Sequence, residues 1–274
     1  MNSMVTTTAI ERFEVRSPDG TVLAVWAEGE GPALVMVHGS LQDHTVSAAL
    51  VAELRSDTAT FSMDRRGFGA SSDAVGAAYA IEREFEDVAA VVDAVAARTG
   101  GPVALWGHSY GAGLAMGGAA LTTNIGHLVL YEPSLGLAYP EGWIDRLEQT
   151  LAEGDDEGAI VLALRDVLEF TDDRIDAMRA GPEWAGRVAV APTVAREARA
   201  EEGWVYRPGR FDAVAAPTLL LSGSQSPPSL KQATAEAAEA LPRARVRVLD
   251  GHAHIAHRTD PALVAGIVRA FTAS

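Results

Sequence analysis

Residues 103–120 read VALWGHSYGAGLAMGGAA. A short apolar run, strand-like in length, meets Gly107-His108-Ser109-Tyr110-Gly111 and leaves as a helix of small residues. Gly-x-Ser-x-Gly is a weak signal by itself. Between a strand and a helix it gains meaning, because a sharp strand-to-helix turn lifts the serine into a strained, exposed position. The flanking glycines keep neighbouring side chains clear, and the following helix aims free N–H groups and its positive dipole end at the serine.

The chain around this turn repeats one rhythm. Residues 12–16 and 21–27 form an expected hairpin about Asp19-Gly20, and 32–37 (PALVMV) and 58–63 (TATFSM) read as strands. Helical spacing over 45–55 separates those two strands. From Tyr79 to Arg98 an amphipathic pattern puts Ile81, Phe85, Val88, Val92 and Val95 on one face, and Gly100-Gly101 stops it. After the serine turn and its helix (110–121), IGHLVLY (125–131) is strand-like. The last third alternates again: strand 217–222, helix 229–240, strand 244–249 and helix 258–272. Apolar runs alternating with amphipathic helices imply a mostly parallel sheet, here of eight strands, with helices on both faces. The rhythm breaks between about 134 and 212, where only helical patterns appear (141–152, 157–170, 172–179 and 192–201). Three of the five tryptophans fall there: Trp143, Trp184 and Trp204. The expected organisation is a core of 1–133 and 213–274 with 134–212 as a helical cap over the sheet.

Composition excludes several classes. The 274 residues carry a net charge of −15 and a single lysine, Lys231, a poor basis for binding nucleic acid or anionic membranes. With no cysteine, disulfides, thiolate nucleophiles and thiolate metal sites are ruled out. The N-terminus lacks the basic start and apolar core of a signal peptide, so a cytoplasmic location is expected. No glycine-rich loop has a dinucleotide or phosphate context, and neither a cofactor nor a metal site is expected.

Four motifs together, VHGS (37–40), DRRGFGASS (64–72), GHSYG (107–111) and GHAHIAHRTDP (251–261), resemble the α/β-hydrolase superfamily over nearly the whole chain. The resemblance implies Ser109 as nucleophile, activated by a histidine. The tetrahedral oxyanion would be held by the backbone N–H groups of Ser40 and Tyr110. The histidine loop offers His252, His254 and His257. Family spacing, with a glycine three before and a proline seven after, selects His254 through Gly251 and Pro261. His257 is expected to open the final helix, and His44 and His127 to lie on the surface. In such enzymes the acid usually follows the strand at 217–222, but Ser224, Gln225 and Ser226 stand there, and none can carry a charge. Haloalkane dehalogenases and certain lactonases are understood to place the acid one strand earlier. The matching residue is Glu132, between LVLY and Pro133. Asp250, a Ser–His dyad or an acid from the 134–212 segment are the alternatives. The DRRGFGASS turn is expected to be braced by contacts between Asp64 and its arginines.

These readings imply a serine hydrolase acting on a mainly apolar ester or lactone, of unspecified oligomeric state. Carbon–carbon bond hydrolysis, cofactor-free perhydrolysis and a non-catalytic small-molecule binder on the same scaffold are the competing readings.

Overall fold

The computed structural model describes residues 10–73 and 79–274. Eight strands form one sheet: β1 (Glu11–Arg16), β2 (Val22–Glu28), β3 (Ala33–Val37), β4 (Ala59–Met63), β5 (Val103–His108), β6 (Ile125–Tyr131), β7 (Thr218–Gly223) and β8 (Ala244–Leu249). Their spatial order is β1-β2-β4-β3-β5-β6-β7-β8. β2 runs antiparallel to β1 and β4, and every other pair is parallel.

The helices are α1 (Ala48–Leu54), α2 (Ile81–Thr99), α3 (Tyr110–Ala119), α4 (Trp143–Ala152), α5 (Asp156–Leu162), α6 (Asp172–Arg179), α7 (Trp184–Ala189), α8 (Ala191–Glu201), α9 (Pro228–Ala240), α10 (Ala256–Thr259) and α11 (Pro261–Thr272). The expected helix over 258–272 is interrupted. Pro261 has no N–H to continue α10, so the chain restarts there, with the Asp260 carboxylate accepting from Leu263 N–H.

Strand alternation divides the core. Val35 and Val37 of β3 pack with Leu105, Leu128 and the α2 and α3 residues Val88, Val92 and Leu114 on one face. Leu34 and Met36 pack with Trp106, Val129 and the α1 and α11 residues Leu50, Val264 and Val268 on the other. The helices between β6 and β7 have an apolar cluster of their own, including Trp143, Leu147, Ile160, Leu164 and Val194. Trp204 does not join it. It packs edge-on to Phe85 with the Arg210 guanidinium over its ring, against the α2 side of the sheet core. No helix among the described residues is long and apolar enough to cross a membrane.

Candidate active site

Parallel strands gather their C-terminal ends on one rim, and the expected site residues leave from those ends. The β5–β6 register pairs His108 with Tyr131, so the next residues, Ser109 and Glu132, emerge side by side. Both have positive φ, 57° and 46°, a conformation that non-glycine residues avoid and that costs on the order of 1–3 kcal/mol each. Surrounding bonds hold them there: Ser109 N–H donates to Tyr131 O (2.9 Å) and Glu132 N–H to Leu221 O (3.1 Å). At Gly111 a methyl group would come within 2.2 Å of His38 O, so only glycine lets α3 start this close to the end of β3.

The Glu132 carboxylate is fully buried and divided between two donors. Oε2 accepts from His254 Nδ1 at 2.6 Å, and Oε1 accepts from Gly223 N–H, also at 2.6 Å. An imidazole that donates through Nδ1 keeps Nε2 free to accept a proton. The 4% exposed His254 is held by its backbone as well: its carbonyl accepts from His108 Nε2–H at 2.8 Å. Burial, then the neighbouring His257 and His254, push the His108 pKa well below the ordinary value, so His108 is a neutral brace. Tyr131 completes the support, its hydroxyl donating to Ala253 O and accepting from Ala256 N–H (3.1 Å). Ser109 and His254 line the same cavity but form no direct hydrogen bond among the described residues, a contact that commonly tightens only with substrate present.

The loop after β7, where the acid was missing, is used differently. Ser224 N–H donates to Leu249 O, Gln225 N–H to His252 O and the Ser224 hydroxyl accepts from Gly251 N–H. It props the histidine loop through backbone contacts. Asp250 is exposed and makes no hydrogen bond to His254 among the described residues. His252 stands 3.8 Å from Asp260.

Gly39 brings the Ser40 loop against the serine turn: a methyl group there would lie 3.0 Å from Ser109 Cβ. The N–H groups of Ser40 and Tyr110 make no hydrogen bond among the described residues, leaving two donors beside Ser109. Tyr110's side chain turns inward, sharing a 2.7 Å hydroxyl contact with Tyr79 under the Arg65 guanidinium.

Several residues sit elsewhere than expected. The Asp64 carboxylate contacts neither Arg65 nor Arg66. It accepts from His44 Nδ1 (2.7 Å), Trp26 Nε1 (3.0 Å) and Ala70 N–H (3.0 Å), and His44 stacks on Trp26. Burial raises the Asp64 pKa, but these donors outweigh it and hold it near 2. His44 is therefore a structural partner rather than a surface residue. Arg65 instead binds Glu84 through two bonds (2.8 and 2.7 Å) and reaches Glu197 of α8 at 2.5 Å, while Arg66 pairs with Asp87 and Asp19. His257 is fully buried 4.2 Å from the His108 ring, and burial takes its pKa down to about 3. It lies in the opening turn of α10, and its buried ring packs beside His108 and Trp106. Of the three tryptophans in the helical segment, only Trp143 lines the cavity.

That cavity, about 500 Å³, lies between the strand ends and the helices α4 to α8. Its wall is mostly apolar, with Leu137, Leu164, Val167 and Phe170 beside Trp143. Two carboxyls of α8 also reach it. Glu197 is held by Arg65, and Glu201 bonds the Ser134 hydroxyl (2.9 Å) and Tyr139. Burial lifts the Glu201 pKa to about 8, against the opposing hydrogen bonds of Tyr139 and Ser134, so this carboxyl is largely neutral at pH 7. Glu197 and Glu201 are four residues apart on one face of α8, but nothing local in the sequence points that face toward the cavity.

Residues 34–267 match the family model described as the alpha/beta hydrolase family. The chain belongs to that family. A solved alpha/beta hydrolase from Sphaerobacter thermophilus is 32% identical, with TM-score 0.81, over 94% of this chain and 99% of that one. A thermophilic esterase from Thermogutta terrifontis, solved with malate bound, is 22% identical (TM-score 0.73; 95% and 97% covered). The enol-lactonase from Burkholderia xenovorans is also 22% identical (TM-score 0.70; 96% and 100% covered). At that identity the likeness concerns the fold alone. A search of curated proteins finds no match.

Proposed function

We propose that this protein is a serine hydrolase cleaving a carboxylic ester or lactone through an acyl-enzyme on Ser109. The observation that carries the reading is the buried 2.6 Å hydrogen bond from His254 Nδ1 to Glu132, one strand end away from a serine in a strained turn. In this mechanism Ser109 Oγ attacks the substrate carbonyl carbon while its proton passes to His254 Nε2. The imidazolium is stabilised by the Glu132 carboxylate, and the N–H groups of Ser40 and Tyr110 receive the negative oxygen. Collapse expels the alkoxide, which takes the proton from Nε2 (in a lactone it stays attached through the acyl chain). Water then attacks the acyl-enzyme, giving its proton to His254, and Ser109 is restored as the acid leaves. Family membership and the esterase and enol-lactonase among similar folds agree with ester hydrolysis in general.

The helical segment 134–212 acts in this reading as a lid, its apolar wall taking the acyl or ring part of a small, mainly apolar substrate. The protein works in the cytoplasm, without cofactor or nucleic acid. A fluorophosphonate probe tests the reading: Ser109 should be labelled, and Ser109→Ala should not. A wild-type protein that resists the probe and hydrolyses no ester would favour a binding role instead.

A further inference from the structure

The cavity lining carries three arginines, an unusual gathering in a chain of net charge −15. Arg174 comes from α6, Arg187 from α7, and Arg258 from α10, four residues after His254. Glu183 is the one carboxylate that pairs with any of them among the described residues. It takes two 3.0 Å bonds from Arg258 and a single 3.3 Å bond from Arg187. Arg187 is 8% exposed and makes no other hydrogen bond among the described residues. Arg174 is half-buried over the Phe170 ring and has no carboxylate partner there. The other cavity carboxyls are already engaged: Glu197 by Arg65, and Glu201 by Ser134 and Tyr139. Three guanidinium groups thus line the cavity with one carboxylate paired to them, shared by Arg187 and Arg258, which leaves an excess of two positive charges.

A buried or half-buried cation without a matched anion is costly, and an arginine fork is shaped to receive a carboxylate through two parallel N–H bonds. Burial lowers the pKa of Arg174, and it lowers that of Arg187 against the pull of Glu183. We propose that these arginines form an anion subsite, and that the substrate is an ester or lactone bearing a carboxylate at the end remote from the scissile carbonyl. The apolar side chains between the two ends would take the intervening hydrocarbon. The subsite also spans two parts of the fold, because Arg174 and Arg187 belong to the helical segment and Arg258 to the histidine loop region. A bound carboxylate would thereby draw the helices onto the strand ends.

The inference rests on the hydrolase reading, and the experiment separates the two. Mono-4-nitrophenyl suberate and 4-nitrophenyl octanoate have the same acyl length and differ in a terminal carboxylate or methyl. The ratio of their kcat/KM values should fall about tenfold in Arg174→Gln and at least as much in Arg187→Gln, the size of one charge-assisted hydrogen bond. Suberate binding, measured by calorimetry without any turnover, should weaken by a similar factor. Because Arg187→Gln could fail to fold, the half-exposed Arg174 carries the decision. A suberate isotherm that does not saturate in the wild type, or a ratio that stays within twofold in Arg174→Gln, would overturn the subsite. Absence of fluorophosphonate labelling at Ser109, with suberate still binding through Arg174, would instead overturn the hydrolase reading and leave the subsite standing.

Discussion

Glu132→Gln is the substitution that bears most directly on the proposed chemistry. It preserves shape and removes a charge from a site that is 0% exposed. The two donors on this carboxylate determine how the glutamine can sit. Gly223 N–H, at 2.6 Å, can only donate, so the glutamine oxygen must stay on that side. The amide NH2 then faces His254, whose Nδ1 must become an acceptor, and the ring proton moves to Nε2. In that tautomer the imidazole cannot take the Ser109 proton. The opposite amide orientation restores the correct tautomer but sets NH2 against Gly223 N–H, leaving a buried donor unsatisfied at roughly 1–3 kcal/mol. Either orientation also loses the charge that would stabilise the imidazolium, worth on the order of another 1–2 kcal/mol. Together these give about 2–5 kcal/mol in the barrier, or a fall in kcat of roughly 30-fold to several thousand-fold at 1.36 kcal/mol per decade. The assay is steady-state hydrolysis of a 4-nitrophenyl ester, with circular dichroism confirming an intact fold. Glu132→Asp keeps the charge but shortens the reach by one methylene, and should lie between the wild type and the glutamine variant. Full activity in Glu132→Gln, with a loss in Asp250→Asn, would refute the reasoning and move the acid to the histidine loop.

Ser109→Ala should lower kcat by three orders of magnitude or more with an unchanged melting curve, and His254→Ala comparably, whereas His252→Ala should retain most activity in the same assay. Trp143→Ala should shift the preferred acyl chain length across a 4-nitrophenyl ester series, while Trp204→Ala, at a residue whose ring packs against α2 and is not part of the cavity lining, should lower Tm and leave that preference in place. Glu201 gives a pH signature. Its pKa is raised to about 8 when folded against an ordinary 4.5, so its contribution to stability is full below pH 4.5, declines as pH rises and is lost above 8. Glu201→Gln, always neutral, should therefore melt near the wild type at pH 5 and above it at pH 9, by up to a few kcal/mol or several degrees in Tm.

What could be read from the chain was what local pattern carries. Strand and helix periods, the strand-to-helix serine turn and the spacing around His254 each lie within a dozen residues, and all eight strands were visible that way. The place of Glu132 at a strand end was legible for a related reason: a carboxylate between LVLY and Pro133 has to leave the strand at its end. Interactions across long separations were not legible. Asp64 meets Trp26 and His44, and Arg65 meets Glu197 132 positions away. Adjacent opposite charges in the DRRGFGASS turn suggested a local brace, but both arginines reach buried acids on other elements, Arg65 on α2 and α8 and Arg66 on α2. Trp204 misled in the same way. Its position among helices in sequence suggested the lid, whereas its ring packs against α2. The three arginines of the cavity wall come from three separate helices, and no window of sequence brings them together.

The proposed change of acid position fits the way the strand ends share hydrogen bonds. A carboxylate on the loop after β7 would reach His254 directly, but Gly223 occupies the tightest point there: a methyl group on it would come within 2.5 Å of His252 O. The histidine loop therefore packs directly on backbone at this point, and the loop residues Ser224 and Gln225 hold it by bonds that need no charge. In the proposed triad the acid comes from the neighbouring strand instead. Leaving β6 with φ of 46°, Glu132 turns toward β7 and receives Gly223 N–H on one oxygen while the other meets His254. The Gly223 N–H thus orients the Glu132 carboxylate toward His254. Two donors on separate oxygens leave Glu132 little rotational freedom, and the extra methylene of glutamate supplies the distance between adjacent strands. An acid introduced after β7, as in Ser226→Asp, would place a second carboxylate beside a buried one, and the repulsion between them would raise the cost of ionising either. Combined with Glu132→Gln, the same change would remove that repulsion. It should restore part of the lost activity only if the loop moves far enough from His252 to let the new carboxylate reach His254.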